Sequence, residues 1–510
     1  MGDYMIVREL LSVGADSAPA IGAPERATLD YAGLRALADA TVARLNELGV
    51  GRNDRVAIVL PNSPEMAAAF VTIACGATTA PLNPAYRHEE FDFYLNDLNA
   101  KALVVERGSE SPALAVAAER NIPVLTLVAD ETGPAGNFTL DGEETGSAAV
   151  QSGIAQPDDV ALVLHTSGTT SRPKIVPLTQ RNVTASARHI GGSLNLETAD
   201  KCLNIMPLFH IHGLIAAVLS SLGASASVHC APGFNALRVY NWLDEIEPSW
   251  YTAVPTMHQA ILARAGRNPE SVERARNNLR FVRSSSSSLP PQVMKELEDT
   301  FDAPVVEAYG MTEAAHQMAC NPLPPAVRKP GSVGVAAGPE VAIMSETASD
   351  LLDIGQKGEI VIRGPNVTPG YENNPDANAA AFTDGWFRTG DQGVMDDEGY
   401  ISITGRLKEI INRGGEKISP REVDEVLMDH PAVAQAVTFA MPHDKLGEEV
   451  AAAIVLREGQ DAEEGDVREF VAGQLADFKV PRRVLILEEI PKGATGKLQR
   501  IGLAEKLGLA

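Results

Sequence analysis

A loop rich in hydroxyl side chains follows a short apolar run, and its composition suits the binding of phosphate groups. The apolar run over residues 160–164 predicts a buried strand. Short hydroxyl side chains and a glycine let backbone N–H groups turn toward an anion, and Arg172 and Lys174 add positive charge. The Walker pattern is not matched, because the second glycine and the Lys-Ser/Thr pair are missing. The loop over residues 165–174 (HTSGTTSRPK) therefore favours a polyphosphate ligand, with an ordinary surface loop as the alternative.

Two histidines, His210 and His212, stand two residues apart in the sequence PLFHIHGL. Alternating positions share one face of a strand, so both imidazoles could ligate a metal ion. No third ligand follows at a suitable spacing, which disfavours a zinc site. An imidazole can also fill space and hydrogen-bond a carboxylate, and this second interpretation is favoured.

Charge and cysteine content limit the classes of partner. The 43 Lys and Arg residues against 67 Asp and Glu residues give a net charge of −24, which disfavours nucleic acid and anionic membranes. Four scattered cysteines without a C-x-x-C pair predict reduced thiols and a cytoplasmic location. No signal peptide or S-K-L ending is visible, and the apolar run over residues 214–228 predicts a buried helix that is too short for an integral membrane contact.

Elements that could position these residues alternate between strand and helix patterns. Short apolar runs begin near residues 56, 102, 124, 160, 203, 250, 279 and 305, with helical patterns between several of them. This alternation predicts an α/β fold in which the sheets are flanked by helices. A chain of 510 residues needs more than one core, so we predict a large multi-layered domain over residues 1–405 and a small α+β domain over 406–510.

Six sequence blocks combine glycines with polar and charged residues, and they occur in the order 165–174, 207–214 (PLFHIHGL), 307–313 (EAYGMTE), 386–391 (WFRTGD), 405–420 (GRLKEIINRGGEKISP) and 491–500 (PKGATGKLQR). In this order they resemble the adenylate-forming superfamily of acyl-CoA synthetases, luciferases and peptide-synthetase adenylation domains. More narrowly, RSSSSSL, EAYGMTEAAH, NPLP, IRGPNVTPGY and INRGGEKISP resemble the oxalate–CoA ligase branch of plants and fungi. The resemblance covers the chain from about residue 30 to its end and implies a mobile C-terminal domain.

The resemblance implies a site for ATP. Glu313 would hold Mg²⁺ on the phosphates, a role that suits a hard oxygen ligand. Asp391 would bind the ribose hydroxyls and Arg406 the ribose and phosphate. Glu307 stands where the family often has an amide, which leaves its contact with adenine open. The implied nucleotide-binding residues are Thr166, Ser167, Gly168, Thr169, Thr170, Lys174, Glu307, Ala308, Tyr309, Thr312, Asp391, Arg406 and Lys497.

The resemblance also implies two arrangements of the C-terminal domain. Lys497 would bridge the acid's carboxylate and the α-phosphate during adenylation, because a flexible ammonium can stabilise charge in one step and then leave. Lys408 would be the hinge for the rotation that follows. The pair Gly414–Gly415 would then line the pantetheine tunnel of coenzyme A, with His210 as a catalytic gate between tunnel and acid pocket.

The acid pocket is predicted to be polar. Hydroxyls of Ser285, Ser286 and Ser287 would border the acyl group together with His210 and His316. A second carboxylate needs such donors, whereas an alkyl chain needs an apolar pocket. We therefore predict an ATP-dependent carboxylic acid–CoA ligase for a short dicarboxylate, oxalate first, with Arg283 either contributing charge or facing solvent. The alternatives are a medium- or long-chain fatty acyl-CoA synthetase, a ligase that loads a carrier-protein thiol, and a non-catalytic adenylate binder.

Overall fold

Four β-sheets flanked by helices organise the residues that the computed structural model describes, namely 4–142, 149–166, 173–492 and 498–509. The predicted α/β class is confirmed. Two large sheets are mostly parallel, and two smaller sheets follow them in the C-terminal third of the chain. The site described below lies where these sheets meet.

A seven-stranded sheet carries the phosphate-loop hairpin at one edge. Its interior strands pair in parallel, while the outermost strand on each side is antiparallel. Interior strands are mostly apolar, as expected for a sheet covered by helices on both faces. In spatial order the strands are Phe138–Asp141, Val124–Ala129, Ala102–Glu106, Arg55–Val59, Thr78–Pro81, Val160–Thr166 and Lys174–Thr179.

A nine-stranded sheet supplies most of the other candidate residues. Six of its strands pair in parallel, and antiparallel strands close both edges. In spatial order the strands are Val335–Ala336, His316–Cys320, Val305–Met311, Phe281–Ser285, Trp250–Ala253, Lys201–Asn204, Ser227–Cys230, Pro19–Ala23 and Arg26–Asp30.

Helices cover both large sheets, and several begin at caps that are visible in the sequence. The Asp30 side chain accepts a hydrogen bond from the Gly33 N–H, and Ser63 caps a helix whose first residue is Pro64. The α-helices span Val7–Leu10, Tyr31–Glu47, Pro64–Ala74, His88–Asp97, Ala113–Glu119, Gln180–Ser193, Ser220–Gly223, Val239–Ile246, Pro255–Ala265, Pro269–Asn278, Pro291–Phe301, Pro375–Ala381, Pro420–Asp429, Glu464–Ala472 and Leu503–Lys506. Short 3₁₀-helices span Thr312–Ala314 and Asp477–Lys479.

The two smaller sheets lie on either side of residues 407–410. The antiparallel sheet before this segment contains Glu340–Met344, Gly358–Arg363, Trp386–Met395 and Phe382–Thr383, with Ile401–Arg406 paired to the long third strand. The sheet after it contains Glu416–Ile418, Ile411–Arg413, Gly447–Leu456 and Val433–His443, with Arg483–Ile486 paired in parallel to the strand Gly447–Leu456. The second sheet has its own hydrophobic cores on both faces.

The apolar run over residues 214–228 is not a single helix. A π-helix spans His212–Leu219, an α-turn follows to Gly223, and the strand Ser227–Cys230 then joins the nine-stranded sheet. Ser225 has φ of 62°, so the chain reverses there instead of continuing the helix. His212 therefore begins a helix and does not share a strand face with His210, which removes the geometric basis of the metal alternative. Among the described helices, none is long and apolar enough to cross a membrane.

Candidate active site

Glu313 is a buried carboxylate at the end of a strand of the nine-stranded sheet. The strand Val305–Met311 leads directly into the 3₁₀-turn Thr312–Ala314. The Tyr371 hydroxyl donates to Glu313 Oε1 at 2.8 Å, and Lys174 Nζ lies 4.3 Å from the centre of the Tyr371 ring. Burial raises the pKa of Glu313, while the hydrogen bond from Tyr371 and the charges of Arg406 and Lys174 oppose that rise. The carboxylate is thus kept near two cations.

Asp391 is the second carboxylate of the site, and a second tyrosine holds it. The strands Trp386–Met395 and Ile401–Arg406 pair so that Asp391 lies opposite Arg406. Arg406 Nε lies 2.9 Å from Asp391 Oδ1, and the Tyr309 hydroxyl donates to Oδ2 at 2.6 Å. Burial raises the pKa of Tyr309, so its hydroxyl remains a donor. Register in one sheet therefore brings together two residues fifteen positions apart.

The phosphate-loop hairpin ends beside these groups. Thr166 and Lys174 are Cα partners at the open end of the strand pair. Burial lowers the pKa of Lys174, the charge of Lys408 lowers it further, and Glu313 opposes the shift. Lys408, which we predict to be the hinge, thus stands close to Lys174. Ser167, Gly168, Thr169, Thr170, Arg172 and the predicted catalytic Lys497 lie outside the described residues.

Glu307 is buried and only partly satisfied. Its Oε1 accepts from the Leu289 N–H at 2.9 Å, and no described group hydrogen-bonds Oε2. Burial raises the pKa of Glu307 to about 7, against the charge of Arg421. The neighbouring Ala308 offers its carbonyl to the Ser285 hydroxyl at 2.8 Å. Among the described groups, Glu307 Oε2 therefore has no hydrogen-bond partner.

The predicted acid-pocket residues are placed unequally. The Ser285 hydroxyl is already engaged by the backbone, and Ser287 is exposed. Ser286 Oγ lies 3.0 Å from His212 Nδ1, and the rings of His212 and His316 stack with centroids 5.0 Å apart. His210 is half-buried, and its Nδ1 accepts from the His212 N–H at 3.2 Å. Ser286, His316 and the unassigned His212 thus form one cluster.

Arg283 is the residue whose place the sequence left open. It is fully buried and does not face solvent. One Nη lies 3.3 Å from His212 Nε2, and the other lies 3.2 Å from His316 Nε2 and 3.1 Å from Gln317 Oε1. Burial lowers the pKa of Arg283 to about 10. No carboxylate of the described chain forms an ion pair with this guanidinium.

Sequence reasoning missed the roles of Tyr371, Arg283 and His212. Each stands inside a quoted motif, at the end of IRGPNVTPGY, at the start of RSSSSSL and within PLFHIHGL. The signal was present, but their contacts cross between sheets and depend on tertiary packing. Gly414 (φ 60°) and Gly415 (φ 102°) form a turn in the C-terminal sheet. The Gly414 N–H donates to the Leu446 carbonyl at 2.9 Å, just before the strand Gly447–Leu456.

A cavity of about 670 Å³ lies beside His210. Pro207 and Phe209 line it on the side of the PLFHIHGL segment. Its remaining walls are Pro61, Asn62, Asn83, Pro84, Ala85, Tyr86, Glu90, Ile205, Gly233, Phe234 and Met257.

Comparisons with known proteins show which family the chain resembles over most of its length. The family model described as AMP-binding enzyme matches residues 14–372, and the model of the AMP-binding enzyme C-terminal domain matches residues 422–497. A probable CoA ligase of Humulus lupulus is 47% identical over 94% of this chain and 91% of its own length. An oxalate–CoA ligase of Arabidopsis thaliana is 46% identical over 92% of each chain. ATP-bound MatB from Rhodopseudomonas palustris, a crystal structure, is 28% identical, with a TM-score of 0.87 over 98% of both chains.

These matches cover both parts of the chain and confirm the predicted resemblance and enzyme class. The site residues lie within or between the matched segments, with Asp391 and Arg406 between them. The chain therefore belongs to the AMP-binding enzyme family, and it is an AMP-forming acid–thiol ligase.

Proposed function

We propose that this chain is an ATP-dependent carboxylic acid–CoA ligase that works through an acyl-adenylate and favours a short dicarboxylate, oxalate first. In the first step a carboxylate oxygen attacks the α-phosphorus of ATP and pyrophosphate leaves. In the second step the thiol sulfur of CoA attacks the acyl carbon and AMP leaves. The observation that carries the proposal is the convergence of two tyrosine-held carboxylates with Lys174 and Arg406.

The nucleotide would lie across this convergence. Asp391 has both oxygens fixed by Tyr309 and Arg406, which aims the carboxylate and suits a pair of ribose hydroxyls. Arg406 and Lys174 supply the positive charge that a polyphosphate needs in a chain of net charge −24. The remaining phosphate donors would come from Thr312, Thr166 and the loop residues Ser167, Gly168, Thr169 and Thr170. Tyr309, Ala308 and the free oxygen of Glu307 would border adenine.

Glu313 suits Mg²⁺ as a ligand. It is a carboxylate at the phosphate end of the site, with one oxygen fixed by Tyr371 and cations on the side where phosphates would lie. When bound, Mg²⁺ would neutralise phosphate charge. Lys174 and Arg406 would position the phosphates, and Tyr371 would keep the Glu313 carboxylate oriented and ionised. Lys497 would bridge the acid and the α-phosphate, a role that stays a prediction.

Domain rotation would separate the two steps. The last strand of one small sheet ends at Arg406 and the first strand of the next begins at Ile411, which supports a boundary between residues 1–405 and 406–510. Lys408 lies in the exposed turn between them and would act as the hinge. After rotation, the thin turn at Gly414–Gly415 would line the pantetheine path. The cavity lined by Pro207 and Phe209 would offer space for that path, with the adjacent His210 as its gate.

A short dicarboxylate suits the acid pocket better than an alkyl chain. Ser286 and His316 would border the acid, backed by the buried charge of Arg283, which no described carboxylate neutralises. Burying a long alkyl chain against these groups would leave their hydrogen bonds unmade. The Arabidopsis relative named as an oxalate–CoA ligase supports the same substrate class. A fatty acyl-CoA synthetase and a non-catalytic adenylate binder are the rival proposals.

The deciding experiment is an acid panel. Oxalate, malonate, hexanoate, palmitate and coumarate would be assayed for AMP formation with and without CoA, and for pyrophosphate release. Oxalate is expected to give the highest kcat/KM, with AMP formation that depends on CoA. A preference for palmitate would contradict the polar pocket, and absence of pyrophosphate release with every acid would favour the non-catalytic binder. If a carrier protein accepted the acyl group faster than free CoA does, the carrier-protein thiol would be the acceptor instead of CoA.

A further inference from the structure

The guanidinium of Arg283 holds two stacked imidazoles at once. Its two Nη atoms approach the Nε2 atoms of His212 and His316, at 3.3 Å and 3.2 Å, and the two rings are inclined by only 21°. All three side chains are buried. A guanidinium can only donate hydrogen bonds, so both contacts are satisfied as hydrogen bonds when each Nε2 that faces it is an unprotonated acceptor. A neutral imidazole then carries its proton on Nδ1.

This tautomer sets the direction of the hydrogen bonds beyond the rings. The Thr252 hydroxyl lies 2.6 Å from His212 Nε2 and would donate to it, while accepting from Arg283 Nη1 at 3.4 Å. On the other side, His212 Nδ1–H donates to Ser286 Oγ at 3.0 Å. Because Ser286 already accepts from His212, its own O–H is left to donate elsewhere.

The backbone holds both outer members of the cluster in unusual conformations. Ser286 has φ of 75° and His316 has φ of 100°, regions that residues other than glycine rarely occupy. Such conformations persist where the surrounding structure enforces them, and they cluster at functional sites. Here they place a half-buried hydroxyl and a buried imidazole on the same side of the Arg283 fork.

We propose that Arg283 is a positioning residue, which fixes His212 and His316 as Nδ1–H tautomers so that Ser286 presents its hydroxyl proton to the second carboxylate of the acid substrate. This inference rests on the proposed function, because it assigns that site its means of recognising a dicarboxylate. The guanidinium also places a positive charge behind the imidazole layer, where it attracts a second carboxylate without contacting it. Hydrogen bonds from neutral donors to an anion, backed by a buried cation, suit a small dianion.

The tautomers can be measured without substrate. In the ¹⁵N-histidine-labelled protein, two-bond ¹H–¹⁵N correlations of His212 and His316 should show protonated Nδ1 and unprotonated Nε2. The two residues would be assigned with His212→Gln and His316→Gln variants. In Arg283→Lys one ammonium cannot span both rings, so at least one imidazole should change its pattern. Protonated Nε2 on both rings of the unchanged protein would overturn the inference, whatever acid the enzyme uses.

The functional arm is a double-mutant cycle with oxalate. Arg283→Lys should raise the oxalate KM by about tenfold or more and leave the ATP KM within about twofold. In a Ser286→Ala background, Arg283→Lys should raise the oxalate KM by less than about a further twofold, because the Ser286 hydroxyl proton that Arg283 orients is already absent. Arg280→Lys is the matched control, because Arg280 stands three positions before Arg283 in the sequence but pairs with Asp200, and its substitution should change neither KM. Additive effects, or equal rises in both KM values, would overturn the inference.

The two proposals fail in different ways. If the unchanged protein forms no oxalyl-adenylate, the proposed substrate is wrong while the tautomers remain measurable. If oxalate is used and Arg283→Lys leaves its KM unchanged, the assigned role of Arg283 is wrong and the proposed function stands. Circular dichroism and thermal unfolding would establish that each variant folds before its kinetics are compared.

Discussion

Two buried carboxylates of this site, Glu313 and Asp391, each accept a hydrogen bond from a tyrosine and lie near a cation. Tyr371 donates to Glu313, which also feels the charges of Arg406 and Lys174. Tyr309 donates to Asp391, which forms an ion pair with Arg406. Burying a charge is costly unless hydrogen bonds and opposite charges offset the lost hydration. Glu307 departs from this pattern, since one of its oxygens has no hydrogen-bond partner among the described groups. These two situations lead to opposite expectations for substitution.

Tyr371→Phe should weaken the site without unfolding it. Phenylalanine keeps the ring beside Lys174 but removes the donor to Glu313, so the already raised pKa of Glu313 should rise further. A hydrogen bond to a charged group contributes roughly 1.5–3 kcal/mol. In a plot of adenylation rate against pH, the acidic limb should therefore shift to higher pH by about one unit. The Mg²⁺ concentration at half-maximal rate should rise severalfold. The rate of pyrophosphate exchange, measured over a range of pH and of Mg²⁺ concentration, gives both quantities.

Tyr400→Phe is the matched control for that prediction. Its hydroxyl donates to the Val327 carbonyl, away from the carboxylates, so neither the pH profile nor the Mg²⁺ requirement should change. An unchanged pH profile in Tyr371→Phe, with a loss of kcat alone, would contradict the role given to the Tyr371 hydroxyl.

Glu307→Gln should stabilise the ligand-free protein above neutral pH. Burial raises the pKa of Glu307 from 4.5 to about 7, so its favourable effect is complete below pH 4.5 and is lost as the pH rises through 7. Glutamine keeps an acceptor for the Leu289 N–H and carries no charge. The free energy of unfolding of the variant minus that of the unchanged protein should be on the order of 3 kcal/mol larger at pH 8 than at pH 4.5. Urea unfolding across this range measures it, and exposed Glu488→Gln should show no such trend.

Elements position these residues through register, which a change of one backbone contact can disturb. The strands Val305–Met311 and His316–Cys320 form a tight antiparallel hairpin around the Thr312–Ala314 turn. Gly310 faces Gln317 in this hairpin, and its Cα lies against the backbone of His316. The hairpin thus fixes Glu313, which we propose for the nucleotide site, relative to His316, which we propose for the acid pocket.

Gly310→Ala should damage both groups together. A Cβ at this position would overlap the His316 carbonyl oxygen and lie 2.6 Å from its carbonyl carbon, and backbone atoms have little freedom to yield. Overpacking of this kind costs typically 1–3 kcal/mol, so we expect a loss of about 2 kcal/mol or more in free energy of unfolding, with at least tenfold slower adenylation. At Gly266 a Cβ would meet no atom within 4 Å, so Gly266→Ala should be close to neutral. Equal stability of the two variants would contradict the close packing.

The sequence predicted the local elements and motif positions better than the contacts between them. Strands near residues 102, 124, 160 and 250 follow from apolar runs, and the helix Tyr31–Glu47 follows from its 3.6-residue period. The sequence does not decide whether Arg283 is buried, because burial of an arginine has no local signature and depends on the two imidazoles brought to it by other elements. The prediction of one helix over residues 214–228 is wrong beyond Gly223, because apolar residues alone do not distinguish a helix from a helix followed by a strand.

The whole molecule is expected to work by moving its C-terminal part against the rest. Some described contacts between the two are polar and partly exposed, including Gln259 with the Ala434 carbonyl at 2.9 Å and an Arg457–Glu296 pair at 3.7 Å. Nearer the linker, Arg421 donates to the Ile403 carbonyl at 2.7 Å. Exposed ion pairs contribute roughly 0–1 kcal/mol each, so such contacts can be exchanged at low cost. The angular change is then left to residues 407–410, where the chain runs between the two small sheets.

Lys408→Pro should separate the two half-reactions. No hydrogen bond from the Lys408 N–H is found among the described residues, so proline removes none of them. Proline fixes its own φ and restricts Leu407, which opposes rotation away from the present arrangement, with Lys408 near Lys174 and Arg406 paired to Asp391. The rate of pyrophosphate exchange should stay within about threefold, while thioester formation from supplied acyl-adenylate should fall by about a hundredfold.

Two further variants are the controls for Lys408→Pro. Lys408→Ala, which leaves the backbone free, should spare both half-reactions. Lys497→Ala should lose pyrophosphate exchange and keep thioester formation from supplied acyl-adenylate. A uniform decrease in Lys408→Pro would mean that the chain does not turn at this residue.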